Sequence, residues 1–284
     1  MALPGTSHAV GARRVGVSLC LALVGALGWL LTLAAGALAD STQSSNWAGY
    51  AVHRRGVTFT QVAGQWTQPT VSCVPGPPSY SSIWVGIGGY SESSRALEQI
   101  GTEADCSGDG TEQSSAWFEL VPAPSTTISL PVAPGDGVRA TVTLSGHEVS
   151  FELEDLTTGR SFTRRLHARL IDATSAEWIV EAPSVCSGHS CQALPLADFG
   201  STGFAFATAT ASPGVSGTVL SPYWRATKIT LVEDAQRLFG ADRAAGPVSA
   251  VPGPLAYNGS LFPVTFAGAA AAAPDRISGG HIFH

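Results

Sequence analysis

The feature that most constrains this chain is a period of two. From residue 47 onward, apolar and polar side chains alternate in short runs, and Gly, Pro, Asp and Ser clusters separate the runs. Residues 138–144 alternate, 145–148 turn, 149–154 alternate again and 155–159 turn. The same pattern predicts strands at 47–53, 62–66, 82–87, 96–101, 116–121, 126–130, 176–181, 203–210, 229–231 and 261–266. No amphipathic helix of three turns is visible, and only 233–239 has a helical look, for a turn or two. Many short strands with turns rich in Gly and Pro (32 and 18 residues) imply an all-β sandwich or barrel. The tail, 267–284, has neither alternation nor a core face and reads as disordered.

The first 39 residues do not belong to that pattern. Arg13 and Arg14 precede 24 uncharged residues, 15–38, and Ala37-Leu38-Ala39 is a small-x-small cleavage pattern. This is the order of a secretory signal. The apolar run is also long enough to span a bilayer if it stays uncut. The expected organisation is therefore a signal at 1–39, one β-domain at 40–266 and the tail. The product is expected to be secreted and free of the membrane once the signal is removed.

Cysteine usage agrees with export. Cys73, Cys106, Cys186 and Cys191 remain after the signal, and an even count in an exported chain reads as two disulfides. Cys186 and Cys191 close a natural local loop, which leaves Cys73 to pair with Cys106. Zinc would need more ligands than Cys186, His189 and Cys191 supply, so no metal and no cofactor are expected. A net charge of −6 gives no basic footprint for nucleic acid. A hydrophobic content of 44% with 13% charged residues excludes a disordered chain.

Alternation also assigns faces. In 176–181, Ala176, Trp178 and Val180 share one face, and Glu177, Ile179 and Glu181 the other. In 82–88, Ile83, Val85 and Ile87 look like core, while Trp84 points away with Gly86 and Gly88. Trp117 and Glu119 lie opposite Phe118 and Leu120, and Gln99 shares a face with Leu97 and Gly101. A freely solvated sheet face is usually Thr, Ser, Lys and Glu. Trp, Gly and a few carboxylates and amides instead suggest a groove that receives a ligand. No Gly-x-Ser-x-Gly, His-Glu-x-x-His, Asp-Thr-Gly or Asp-Ser-Gly motif occurs, and no phosphate loop follows a strand.

A series of short motifs then appears in order. It runs Ser45-Asn46-Trp47-Ala48-Gly49-Tyr50, Gly64-Gln65-Trp66-Thr67-Gln68-Pro69, Ile83-Trp84-Val85-Gly86-Ile87-Gly88-Gly89, Leu97-Glu98-Gln99-Ile100-Gly101, Ala116-Trp117-Phe118-Glu119, Leu156-Thr157-Thr158-Gly159 and Ala176-Glu177-Trp178-Ile179-Val180-Glu181. With Cys186 and Cys191 and Pro195-Leu196-Ala197-Asp198-Phe199, the series resembles the glutamic peptidases, also called the G1 or eqolisin family. The resemblance spans about residues 45–266. It implies an antiparallel β-sandwich of two large sheets, of the jelly-roll or concanavalin-like kind, and a secreted acid endopeptidase acting on polypeptides. It implies a catalytic pair, Gln99 and Glu181, with Trp47, Trp84 and Glu119 lining the cleft; Trp117, on the same face as Glu119 by alternation, is a further candidate for the cleft wall. Gly88 departs from the family, which usually carries Asp there.

The chemistry fits those groups. A Glu can take a proton from a water that attacks the peptide carbonyl and return it to the departing amine. A Gln cannot titrate, so its part is to stabilise the oxyanion. Two alternatives stay open. One is a glycoside hydrolase using Glu119 and Glu181 as paired carboxylates. The other is a peptide- or glycan-binding sandwich without catalysis. A monomer is expected.

Overall fold

A computed structural model describes residues 1, 39–187, 190–233, 247–268 and 281–283. The chain divides into two compact units, Met1–Gly36 and Ala37–His284, and every strand among the described residues belongs to the second. The predicted signal, apart from its end residues, lies outside the described residues, as do 234–239 and His189. Among the described residues no helix is long and apolar enough to cross a membrane.

The strands, in chain order, are β1 (Asp40–Ser44), β2 (Trp47–His53), β3 (Phe59–Thr67), β4 (Ser82–Gly88), β5 (Leu97–Cys106), β6 (Glu112–Leu120), β7 (Thr126–Ile128), β8 (Gly137–Ser145), β9 (Glu148–Asp155) and β10 (Arg160–His167). They continue as β11 (Ser175–Glu181), β12 (Ser184–Ser187), β13 (Ser190–Ala193), β14 (Ser201–Ala211), β15 (Val215–Thr218), β16 (Arg225–Val232), β17 (Val248–Pro252), β18 (Phe262–Phe266) and β19 (His281–Phe283). Every run predicted from alternation lies in or overlaps one of these strands. The short β1, β12, β13, β15 and β17 carry no strong alternation, because backbone pairing alone places them.

The result is an antiparallel β-sandwich. One layer runs β18-β17-β16-β2-β11-β4-β5-β6-β7, and the other runs β10-β9-β8-β3-β14-β15. β14 joins the two. Its first residues pair with β18, its later ones pair with β3, and the register shifts between Ala205 and Thr208. Phe206, inside that shift, has a φ of 52°. β1 is the exception in direction, since it adds to β16 in parallel.

The core fills the space between the layers. Tyr50, Ile83, Val85, Ile87, Ile100, Trp178 and Val180 from the first layer meet Phe59, Val62, Val142, Phe151 and Leu153 from the second, all buried. Polar tips of the large side chains find partners across the gap. Trp66 Nε1 donates to Thr102 Oγ1 at 2.9 Å, and Trp178 Nε1 donates to the Ala63 carbonyl at 2.8 Å. Buried indole N–H groups need such partners. Both predicted disulfides are formed, Cys73–Cys106 and Cys186–Cys191. The first fastens the chain before β4 to the end of β5, and the second closes the β12–β13 hairpin.

The tail is not wholly without structure. β19 pairs antiparallel with β12, His281 opposite Cys186 and Phe283 opposite Ser184. A three-residue strand needs only backbone donors and acceptors, which side-chain alternation does not report. Residues 269–280 lie outside the described residues.

Candidate active site

The outer face of the first layer carries a second apolar cluster, separate from the sandwich core. Ala51, Trp84, Leu97, Trp117, Ile179 and Ile229 form it, with Trp47, Tyr90 and Val121 partly exposed at its margin. Alternation predicts this split, because Trp84, Trp117 and Ile179 occupy the positions opposite their core-facing neighbours. Trp47 meets Trp84 edge to face at 5.1 Å. Embedded among these rings are Gln99, Glu119, Glu177 and Glu181, all buried. A solvated face would leave them wet.

Register fixes where they stand. Gln99 pairs with Glu119 on one side and with Gly86 on the other, and Gly86 pairs with Glu177. Glu177, Gly86, Gln99 and Glu119 therefore form one row across four strands. Glu181 pairs with Ser82, four residues further along. Gln99 and Glu181 share a layer and a face, two strands apart, separated by about 13 Å along the strands and about 10 Å across them before twist and side-chain reach. Trp84 lies on the strand between them.

Glu181 is held by donors from two directions. Trp84 Nε1 donates to Oε2 and Asn46 Nδ2 to Oε1, each at 2.7 Å. Asn46 is itself fixed: its Oδ1 accepts from Ser44 Oγ at 3.1 Å, and its carbonyl accepts from the Ala182 N–H at 2.8 Å. Trp47's indole N–H also faces Glu181, without a hydrogen bond of ordinary geometry. Burial, with the charge of Glu119 adding to it, pushes the Glu181 carboxyl up to about 8, and the Trp84, Trp47 and Asn46 donors work against that rise. Gln99 Nε2 donates to Glu119 Oε2 at 2.7 Å. Glu119 links the two, bonded to Gln99 and felt as a charge at Glu181.

The other end of the same face holds more carboxyls. Burial, the Asp172 charge and Glu98 raise Glu177 well above its ordinary value, although the nearby Ser175 hydroxyl favours its anion. Neither Glu177 oxygen makes a hydrogen bond of ordinary geometry. Burial and then Asp172 push Glu98 up to about 9. Among the described residues, no group of His, Cys, Asp and Glu is arranged to hold a metal. A cavity of about 500 Å³ lies elsewhere, lined by Gln65, Leu156, Thr202, Phe204, Leu261 and Pro263. It is mostly apolar and has no pair of groups for acid–base work.

The structure brings Glu181 together with Trp84 and Trp47, and Gln99 with Glu119, while Trp117 belongs to the apolar wall. Sequence reasoning assigned no role to Asn46, 135 residues from Glu181 in the chain. Its signal was the Ser44-x-Asn46 pair just before β2, where a short polar side chain is turned back by a hydroxyl. Gly88 has a physical reason as well. A Cβ there would lie 2.4 Å from the Asp172 carbonyl oxygen, at a φ of +90°.

Comparison with known proteins bears on this site. A family model described as the Peptidase A4 family matches residues 45–239. No curated protein sequence matches. Among solved structures, a scytalido-glutamic peptidase with a transition state analog inhibitor is 24% identical with a TM-score of 0.63. The match covers 79% of this chain and 99% of that one. SCP-B, a member of the eqolisin family of peptidases in a complex with the tripeptide Ala-Ile-His, is also 24% identical with the same coverage and a TM-score of 0.60. At this identity the likeness is one of fold.

Proposed function

The chain belongs to the Peptidase A4 family, and on that premise we propose that it is a secreted acid endopeptidase using Glu181 and Gln99. The observation that carries the reading is the reception given to Glu181. Among the described residues this buried carboxyl faces two hydrogen-bond donors, Trp84 and Asn46, and no basic residue. Donors of that kind favour the anion without fixing it permanently, which suits a group that must accept and then release a proton.

The reaction follows from those groups. Water entering the site offsets the burial that raises the Glu181 pKa, and with Trp84 and Asn46 donating to its oxygens Glu181 releases its proton to solvent; the carboxylate then takes a proton from the attacking water, whose oxygen bonds to the scissile carbonyl carbon. The carbonyl π bond becomes an oxyanion lone pair, and the Gln99 amide donates to that oxygen. When the tetrahedral intermediate collapses, the C–N bond breaks and Glu181 gives its proton to the amine. Glu119 holds the Gln99 amide in place. Trp47, partly exposed at the margin of the cluster and backed by the buried Trp84, offers aromatic surface to the peptide. Secretion is supported by the two disulfides and by the signal pattern at 1–39.

The test is proteolysis of a denatured protein by the purified chain between pH 2 and 7, with polysaccharides assayed alongside. Expected are peptide cleavage, loss of that cleavage in Glu181→Gln, and insensitivity to serine, thiol and chelating inhibitors. Sugar release, or ligand retention without turnover, would overturn the reading. Survival of cleavage in Glu181→Gln, with its loss in Glu177→Gln, would move the base to the residue in Gln99's own row.

A further inference from the structure

Asp172 is a charged residue that the proposed reaction does not use, and it sits where the two strands of the site begin. It lies in the turn before β11. Its Oδ1 accepts from Thr174 N at 3.0 Å and from Thr174 Oγ1 at 2.6 Å. Its Oδ2 reaches across to the β4–β5 loop, where it accepts from Ser94 Oγ and, at 3.4 Å, from the Gly89 N–H. Ser94 Oγ also lies 2.9 Å from the carbonyl of Ala96, the residue before β5. The Asp172 Cβ fills the space in front of Gly88, 2.9 Å from where a residue-88 Cβ would be. Gly88 in turn pairs with Leu97, two residues before Gln99.

We propose that Asp172 is a positioning residue for the peptidase site, clamping the loop that leads into the Gln99 strand to the turn that leads into the Glu177 and Glu181 strand. The inference rests on the peptidase reading for its activity arm but has a structural arm of its own. Three features support it. The carboxylate bonds to both loops at once, so neither strand start moves without stretching a charge-assisted bond. The clamp lies two residue pairs from Gln99's row, so a shift there is passed along a hydrogen-bonded ladder. And Asp172 keeps its charge: partial burial works against it, but the Ser94, Thr174 and Gly89 donors hold it below the usual carboxylate range. It does so beside Glu98 and Glu177, the two carboxyls its charge pushes up.

The experiment compares the full chain with Asp172→Asn, Ser94→Ala and the double variant. Activity on a peptide is read as kcat and KM, and backbone hydrogen exchange is read across the domain. The clamp predicts that Asp172→Asn lowers kcat by about 10-fold to 100-fold, as small misplacements of catalytic groups do, while KM stays within about twofold. It predicts exchange faster by about 10-fold at 89–101 and 172–177, with the β8–β9 hairpin unchanged. Ser94→Ala should move both readouts the same way, and the double variant should be little worse than Asp172→Asn. Unchanged kcat, additive losses, or a fall in kcat matched by the fraction of unfolded protein would overturn the proposal. If the unaltered chain cleaves no peptide, the peptidase reading fails, and exchange together with the Gln99 side-chain amide resonance decides the clamp. A resonance that Asp172→Asn leaves in place, with unchanged exchange, would then overturn it. Should Asp172→Asn not fold, Ser94→Ala carries the same expectations.

Discussion

The two ends of one sheet face treat the same side chain in opposite ways. Glu181 and Glu177 are four residues apart on β11, both buried, both surrounded mainly by apolar groups. Glu181 receives two strong hydrogen bonds from Trp84 and Asn46. Glu177 receives none of ordinary geometry, and it faces Asp172 and Glu98, which oppose its ionisation. Burial alone raises a carboxyl's pKa. What differs is whether the surroundings provide for the anion or resist it. One glutamate is equipped to pass through both protonation states, and the other is equipped to stay neutral.

The sharpest break in that comparison is a pair of amide substitutions. Glu181→Gln should lower kcat by about 10⁴-fold, because both proton transfers fail. Glu177→Gln should change kcat by less than about tenfold, since it replaces a neutral acid by a neutral amide of the same shape. Gln99→Ala comes next, with a loss of about 10²–10³ in kcat for one oxyanion donor. Steady-state kinetics on one peptide reads all three.

The donors give a finer cut. Asn46→Ala or Trp84→Phe removes a bond that favours the Glu181 anion, so its pKa rises. The acidic limb of the kcat/KM profile should then move to higher pH by about 1 unit. Glu119→Gln removes a like charge, so Glu181's pKa falls and the limb should move to lower pH. A limb that ignores all three substitutions would mean that another group sets it.

Stability supplies the smallest effect. Glu98 (about 9), Glu181 (about 8) and Asp105 (about 8) are all raised, each first by burial, and so is Glu177. A folded carboxyl with a raised pKa keeps its proton where the unfolded chain releases it. The unfolded state then binds fewer protons, and stability falls as pH rises from about 4.5 toward 8–9. Tm should drop by several degrees between pH 4 and pH 8. Glu98→Gln and Glu177→Gln should flatten that decline, and an unchanged slope would show that other groups set it.

Much of the face was legible in the sequence. The alternation in Ala176–Glu181 and in Ser82–Gly88 put Trp178 and Val85 inward and Glu181 and Trp84 outward, and the structure agrees. Strand existence followed from the same periodicity, because a half-buried sheet needs a repeat of two. The contact of Asn46 with Glu181, the reach of Asp172 and the burial of Glu98 were not legible. Asn46 reaches Glu181 across 135 residues, and Asp172 reaches Ser94 across 78. No local pattern encodes such distances.

The sequence by itself determined which side chains share a face, because alternation is a property of neighbours along one strand. Only the tertiary structure decided which carboxyl meets donors and which meets other acids. Register and loop placement set those encounters, and a buried charge responds to whatever lies within a few ångströms, however far away it is in the chain.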